Sequence, residues 1–474
     1  MTLKISISGV RGITGKSLTD EIVADFSRAF AAYIKSGTVV IGRDTRASGS
    51  KISEIVASNL NKLGIDIIDL GIAPTPTVAF MVKELKADGG MIITASHNPG
   101  EWNGLKFVRS DGIFLNESQA ESLIHIYNTK RAGQKAEQRA RKGKSRIFKN
   151  PFDAHIAKVL DSVDVSAIKK RRFKVVLDSC NGAGSKITVR LLKELGCEVI
   201  ELYTNTDEPF PHDPEPIPGN LKALCEKVKE TKADIGFAQD ADADRLAIVT
   251  EKGIAPGEEY TLAIAAEQIL SNPKSEIRNP KSETKTVIVT NLSTSMMVDD
   301  IAAKYGANVI RTKIGEVNVA EAMVKNKAII GGEGNGGVMY PKVGYNRDSL
   351  IGIGLILDAM ASKGQKISGI IEGMPKYFIV KDKIQCGSKA EVDSLIKKVK
   401  AMFSAEGGSL PVRQAGASGG NSEKLDLTDG VKVILQGSWV HVRASNTEPI
   451  VRIIAEAQSN EKAGELINSI RKLM

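Results

Sequence analysis

Asp240, Asp242 and Asp244 stand two residues apart, with Arg245 next. Alternating carboxylates at a strand end can converge on one hard cation, and an all-oxygen donor set favours Mg2+. Without a cation three neighbouring carboxylates repel, which weakens the alternative of a plain solvated acidic turn. A calcium loop fits worse. Glu251 occupies its twelfth position, but Arg245 stands at the sixth, where such a loop needs glycine, and Leu246-Ala247-Ile248-Val249 reads as a strand.

Ser96 lies in Thr94-Ala95-Ser96-His97-Asn98-Pro99. Adjacent serine and histidine rarely reach the geometry of a Ser-His-Asp hydrolase. Beside a Mg2+ site, the serine can instead carry a phosphoryl group whose charge the metal balances, with His97 orienting it; the bland alternative is a structural turn serine. Asn103, Gly104 and Lys106 follow, and Arg11 sits in Ser8-Gly9-Val10-Arg11-Gly12. Such cations lower the negative potential of a phosphoryl group and can assist proton transfer at the attacking oxygen, unless they are mere surface charges.

Glu333 and Asn335 occupy a glycine-rich loop, Gly331 to Gly337. They can take hydrogen bonds from neighbouring sugar hydroxyls while the glycines allow close backbone approach; a tight turn is the alternative. Arg443-Ala444-Ser445-Asn446-Thr447-Glu448-Pro449, with Arg452 after it, offers guanidinium, hydroxyl and amide donors to a phosphate dianion. The sequence contains no Walker-type loop and no dinucleotide fingerprint.

These loops end three stretches of one design. Val39 to Asp44, Val175 to Cys180 and Val287 to Asn291 are β-branched runs entering a polar turn. A helical stretch follows each, then a strand opening on Gly64, Gly196 or Gly306. A third apolar strand closes each unit: Met91-Ile92-Ile93 before the serine loop, Ile235 to Ala238 before the aspartates, and Ala328-Ile329-Ile330 before the glycines. Three like scaffolds with unlike loops imply one site assembled between related domains. The expected fold is α/β: three related βαβ-type domains with mixed sheets, over residues 1–150, 151–256 and 257–370. After Gly373 the pattern becomes a smaller α+β domain over 371–474, with strands at Tyr377–Ile384, Val431–Leu435, Trp439–Arg443 and Ile450–Ala455. It has helices at Lys389–Phe403 and from Glu461, and contributes its Arg443–Glu448 loop to a central cleft.

A chain of 474 residues exceeds what one core serves, and 42% apolar with 26% charged residues is ordinary for a soluble globular protein. No apolar run spans a bilayer, and Met1 to Ile5 lacks the apolar region of a secretory signal, so the chain reads as cytoplasmic with no membrane partner. Cys180, Cys197, Cys225 and Cys386 lack metal or pairing spacing and read as reduced thiols. The net charge of +9 admits nucleic acid, an acidic membrane surface or anionic metabolites. Much of it sits between Lys130 and Arg146, a run without interleaved aromatics or a recognition-helix pattern, which reads as a solvated connector rather than a nucleic-acid site. The duplicate Asn272 to Glu276 and Asn279 to Glu283 reads as a surface insertion.

Taken together, the Thr-Ala-Ser-His-Asn-Pro, Asp-x-Asp-x-Asp-Arg, Gly-Glu and Arg-x-Ser-x-Thr-Glu-Pro segments resemble, in order and over nearly the whole chain, the α-D-phosphohexomutase family. The resemblance implies four domains around a cleft, a phosphoserine at Ser96, and Mg2+ held by Ser96, Asp240, Asp242 and Asp244. It implies catalytic assistance by His97, Lys106 and Arg11, and substrate contacts from Arg245, Thr312, Gly315, Glu333, Asn335, Arg443, Ser445, Asn446, Thr447 and Arg452. The activity implied is interconversion of hexose 6-phosphate and 1-phosphate through a 1,6-bisphosphate, which also serves as activator. The Gly331–Pro341 and Trp102–Lys106 segments are similar to bacterial phosphoglucosamine mutases, pointing to glucosamine phosphate; a phosphomannomutase/phosphoglucomutase is the alternative and a Mg2+-dependent sugar phosphatase a remote one. A phosphosugar is the expected partner, with the chain a monomer or homodimer. Many members have serine where Asn335 stands, histidine where Gly337 stands and glycine where Asn446 stands.

Overall fold

The computed structural model of the chain describes residues 3–129, 141–272, 286–404, 424–445 and 450–473. Asn446 and Thr447, residues 130–140 of the basic run from Lys130 to Arg146, and nearly all of the tandem duplication lie outside the described residues.

The first sheet contains β1 (Lys4–Ser6), β2 (Gly9–Ile13), β3 (Thr38–Arg43), β4 (Asp66–Ile72), β5 (Gly89–Ile93), β6 (Trp102–Arg109) and β7 (Ser145–Ile147), in spatial order β1-β2-β6-β5-β3-β4-β7. The β-branched run is the inner strand β3, parallel to β4 on one side and β5 on the other, and β6 then returns antiparallel to β5. Val39, Val40 and Ile41 are fully buried because helices cover both faces, which is why the run is continuously apolar rather than alternating.

The second sheet repeats this plan with β8 (Lys174–Asp178), β9 (Glu198–Tyr203), β10 (Ile235–Gln239) and β11 (Leu246–Thr250), in order β11-β10-β8-β9. The third does so with β12 (Val287–Asn291), β13 (Asn308–Thr312), β14 (Ile330–Glu333) and β15 (Gly337–Met339), in order β13-β12-β14-β15. In all three the inner strand pairs parallel with two neighbours and the last pair is antiparallel. The serine, aspartate and sugar loops are therefore the same connection, the hairpin from β5 to β6, β10 to β11 and β14 to β15.

One boundary differs from expectation. Gly331, Gly332 and Glu333 belong to β14 rather than to the loop. A Cβ on Gly331 would lie 2.5 Å from Met323 Sδ and 2.6 Å from the Val289 carbonyl, so the strand uses glycine where its neighbours crowd it.

The last sheet is antiparallel, with β16 (Phe378–Gln385), β17 (Lys424–Asp426), β18 (Val431–Leu435), β19 (Ser438–Ala444) and β20 (Ile450–Ala457) in order β16-β20-β19-β18-β17, and with helices Lys389–Ser404 and Asn460–Leu473. The expected α+β arrangement is present.

The cores explain what is rigid. One apolar cluster joins Val78, Val82 and Ile92 of the first domain to Val289, Val319 and Met339 of the third. Another joins Val175, Leu191 and Phe237 of the second to Ile288, Leu350 and Ile353 of the third. At about 1.5–3 kcal/mol for each fully buried aliphatic side chain, these shared clusters fix the three hairpin loops relative to one another. The C-terminal domain instead has its own cluster, from Cys386 to Ile470. Polar contacts dock it: Ser293 Oγ lies 2.9 Å from His441 Nδ1, the Met296 amide donates to Glu456 at 2.8 Å, and Lys432 donates to the Leu292 carbonyl. Among the described residues no helix is long and apolar enough to cross a membrane.

Candidate active site

Ser96 is buried and its φ is +51°, a left-handed conformation that a residue with a Cβ adopts only when its surroundings enforce it. The enforcement comes from β3. Arg46, also buried, donates through Nη2 to the carbonyls of Ser96 (2.6 Å) and Asn98 (2.7 Å), and through Nη1 to those of Pro99 (2.5 Å) and Trp102 (3.1 Å). Its Nε is held 2.9 Å from Asp44, which also accepts from Thr94 Oγ1 at 2.6 Å; Thr94 Oγ1 in turn accepts the Ser96 amide at 2.9 Å. The Phe210 ring of the second domain caps the guanidinium at 5.0 Å. Sequence reasoning missed Arg46, because the carbonyls it holds lie 50 to 56 positions further along the chain.

The Ser96 hydroxyl faces the next domain and donates to Asp240 Oδ2 at 2.8 Å. Asp240, Asp242 and Asp244 are all buried, with one ligand oxygen from each within 4.8 Å of the others. Asp242 Oδ1 and Asp244 Oδ1 have no hydrogen-bond partner. Thr75 Oγ1 donates to Asp242 Oδ2 at 2.5 Å, while Lys106 Nζ lies 2.7 Å from Asp242 and 3.2 Å from Asp244. The β10–β11 hairpin carries the loop, so the helix pair of a calcium hand is not its setting.

Electrostatics divide the triad. Burial, then the charges of Asp244 and Asp242, push Asp240 well above the usual carboxylate range. Asp244 goes the other way: burial would raise it, but Arg347, Lys106 and Arg245 together pull it down. Burial works against the Lys106 ammonium, yet Asp242 and Asp244 raise its pKa, so it stays charged. His97 Nδ1 is 3.3 Å from Ser96 Oγ, and burial with the nearby Arg245 and Arg11 holds the ring well below 6.5, hence neutral. Arg11, lowered by burial and by Arg245, donates to Asn98 Oδ1 at 3.1 Å, and Arg245 to Glu215 at 3.0 Å.

Glu333, at the end of β14, accepts from Asn291 Nδ2 (2.7 Å) and the Gly315 amide (3.2 Å). Asn335 is half-buried and its Oδ1 has no partner. Thr312 on β13 lies opposite Asn291 of β12 in register, and its hydroxyl donates to the Lys313 carbonyl at 2.8 Å. Arg347, absent from the sequence-based set, bridges the loops: Nη2 is 2.7 Å from Asp244 and Nη1 3.0 Å from Glu333. Its backbone N and Nε both reach Glu316, at 2.8 and 3.2 Å.

Of the phosphate loop, Arg443 is buried on β19 with Nε 3.2 Å from Asp429, which also accepts the Ile314 amide at 3.0 Å. Arg452 is exposed on β20, opposite Arg443 in register, and the Ser445 amide closes the loop onto the Ile450 carbonyl at 3.0 Å. The fourth loop thus reaches the others through Asp429.

The chain matches the phosphoglucomutase/phosphomannomutase description in four parts: alpha/beta/alpha domain I over residues 3–134, domain II over 153–253, domain III over 257–377 and the C-terminal domain over 379–473. It is 38% identical to "Phosphoglucomutase/phosphomannomutase" of Thermococcus kodakarensis, covering 98% of this chain and 97% of that one. It is 33% identical to "Phosphoglucosamine/phosphogalactosamine mutase" of Sulfurisphaera tokodaii, with 98% of each covered. A crystal structure of a phosphoglucomutase/phosphomannomutase family protein from Burkholderia thailandensis superposes with a TM-score of 0.80 at 26% identity, over 99% of this chain and 97% of that one. Four matched domains in sequence, on the topology described above, make this chain a member of the phosphoglucomutase/phosphomannomutase family, the α-D-phosphohexomutases.

Proposed function

We propose that this phosphohexose mutase interconverts glucosamine 6-phosphate and glucosamine 1-phosphate, with Ser96 as the phosphoryl carrier. The observation that carries the reading is the Ser96 hydroxyl held against Asp240 inside a buried carboxylate triad, with four cationic side chains (Arg11, Lys106, Arg245 and Arg347) around it.

The triad suits a divalent cation. Two buried carboxylate oxygens lack partners, all donors are oxygens, and the Ser96 hydroxyl borders the same space. Asp240, Asp242, Asp244 and the Ser96 oxygen would hold Mg2+, which when bound would neutralise the carboxylates and the transferring group.

The chain's residues then divide the work. Arg46 and Thr94 present Ser96 Oγ in a fixed direction. A sugar hydroxyl attacks the phosphorus on Ser96; a P–O bond to the sugar forms as the Oγ–P bond breaks, and the proton lost by the sugar hydroxyl is balanced by the one the departing Ser96 Oγ takes up. The resulting 1,6-bisphosphate turns end for end, and the second transfer reverses these changes at the other end, so no phosphate or proton is consumed. Lys106, kept as an ammonium, acts as a hydrogen-bond donor to developing charge, alongside Arg11. Glu333 and Asn335 orient the sugar, and Arg443 with Ser445, Asn446, Thr447 and Arg452 holds whichever phosphate is distal. Free bisphosphate restores the phosphoserine when it is lost.

A second reading, glucose or mannose phosphate as substrate, is favoured by the name of the 38%-identical relative. The test is a panel of glucosamine, glucose and mannose 1-phosphates, each with Mg2+ and a bisphosphate activator, read as formation of the 6-phosphate and followed by intact mass of the enzyme. Fastest turnover of glucosamine 1-phosphate with a serine-linked phosphoryl supports the proposal. Faster turnover of glucose or mannose 1-phosphate establishes the second reading, and steady release of inorganic phosphate without isomer would mean a phosphatase.

A further inference from the structure

Arg347 is the only side chain among the described residues recorded as paired with both the aspartate triad and the sugar loop. Its guanidinium forks between Asp244 Oδ2 at 2.7 Å and Glu333 Oε2 at 3.0 Å, with Glu316 Oε2 at 3.2 Å behind Nε. The side chain is 10% exposed, so these contacts act through little solvent. To reach both loops it crosses directly over Gly337, where a Cβ would overlap Arg347 Cδ and lie 2.7 Å from Cγ. The glycine at 337 is thus what admits the arginine.

This position makes Arg347 a competitor. Asp244 is already paired through Oδ2 with Arg347 and Lys106, with Arg245 4.0 Å from Oδ1, so a divalent cation taking Oδ1 shares that carboxylate with them and weakens their hold on it. Arg347 and Lys106, less neutralised by Asp244, then favour an incoming phosphate dianion. We propose that Arg347 is a positioning residue that makes divalent-cation binding and phosphohexose binding mutually reinforcing, by exchanging Asp244 for the substrate side of the cleft. The inference rests on the functional reading above, in that it takes the triad as the cation site and the cleft as the phosphohexose site. By linkage the effect is reciprocal: each ligand must tighten the other by the same factor.

Calorimetric titration of Mn2+ into the dephosphorylated full chain, with and without saturating glucosamine 1-phosphate, tests this. In the wild type the phosphosugar should tighten Mn2+ about tenfold, within the usual range of coupling between sites. Arg347→Met should bind Mn2+ more tightly than wild type when no sugar is present, because a competitor is gone, and its coupling factor should fall towards one. A purely structural role moves Mn2+ affinity the opposite way. Since Arg347→Met leaves Glu316 and Glu333 without their cation, Gly337→Ala provides a second route: it displaces the side chain by overlap while keeping the charge in the protein, and should also abolish the coupling. Thermal unfolding verifies that each variant is folded. If wild type binds Mn2+ and glucosamine 1-phosphate but both variants retain its coupling factor, the inference fails alone; if wild type binds neither, the functional reading fails with it.

Discussion

Ser96 Oγ and Asp240 Oδ2 are 2.8 Å apart although 144 positions separate them in the chain. This contact joins the hairpin loop of one repeat to that of the next, and it puts a nucleophilic hydroxyl on the edge of a carboxylate cluster.

Ser96→Ala should therefore lower interconversion by roughly 10⁴-fold or more, as loss of a covalent carrier does, with an unchanged unfolding transition. Asp240→Asn separates metal from fold. It removes one of three mutually repelling carboxylates, so metal-free stability should stay level or rise. Wild type should gain about 2.7 kcal/mol at a Mn2+ concentration of ~100 Kd by mass action, and the variant should lose that gain. Thermal scans with and without Mn2+ measure both; an Asp240→Asn protein that responds to Mn2+ like wild type would remove the triad from the metal site.

Arg46 holds four carbonyls of the serine loop while paired with buried Asp44. Arg46→Met leaves that carboxylate buried and alone, a change that costs about 3–5 kcal/mol. Adding Asp44→Asn should recover much of the stability by removing the stranded charge. It should not recover turnover, because nothing then holds Ser96 in its left-handed conformation. Urea midpoints and kcat on the single and double variants separate the two effects, and a double variant with wild-type kcat would show that the loop keeps its shape unaided.

How far the sequence foretold this arrangement follows from what kind of signal each part leaves. The β-branched runs had to be inner strands, because a continuous apolar run fits only a strand covered on both faces, and β3, β8 and β12 are such strands. The motifs singled out Ser96 and the three aspartates in hairpin loops and Lys106 inside β6, and the fold brings these side chains together. Arg347 and Arg46 were not singled out. Each acts through contacts with distant loops, Arg347 from the residue but one before the helix Ser349–Lys363 and Arg46 from the turn after β3, and a lone arginine has no local pattern to reveal it.

His212 supplies a pH dependence. Its Nε2 is 2.9 Å from Asp178, and it belongs to the segment that sets Phe210 over Arg46. Burial would lower its pKa, but the hydrogen bonds and charges of Asp178 and Cys180 outweigh that and raise it from 6.5 to about 11. The folded state then binds more protons than the unfolded one between those values. The stabilisation is complete below pH 6.5, declines as pH rises and is gone above about 11. His212→Gln should thus be less stable than wild type by about 2 kcal/mol near pH 6, with the difference shrinking towards pH 10. Urea denaturation of both proteins across that range measures it; a constant difference would mean that His212 contributes only packing.

Asp429 ties the C-terminal domain to the third domain. The same carboxylate oxygen takes the Ile314 amide at 3.0 Å and pairs with Arg443 at 3.2 Å, while the Asp429 carbonyl lies 2.5 Å from His441 Nε2. Two residues of consequence are thereby tied, Arg443 in the phosphate loop and Gly315, whose amide holds Glu333. Because this domain has its own core, such polar contacts are what orient it. Asp429→Ala should raise KM for the phosphosugar about tenfold while kcat changes less than about threefold, since docking of this domain acts on binding rather than on the reacting atoms. The competing effect has the opposite sign: an aspartate beside Arg443 tempers its pull on phosphate, and removing it would lower KM. Steady-state kinetics on Asp429→Ala choose between them, and a lower KM would show that charge, rather than docking, is what Asp429 contributes.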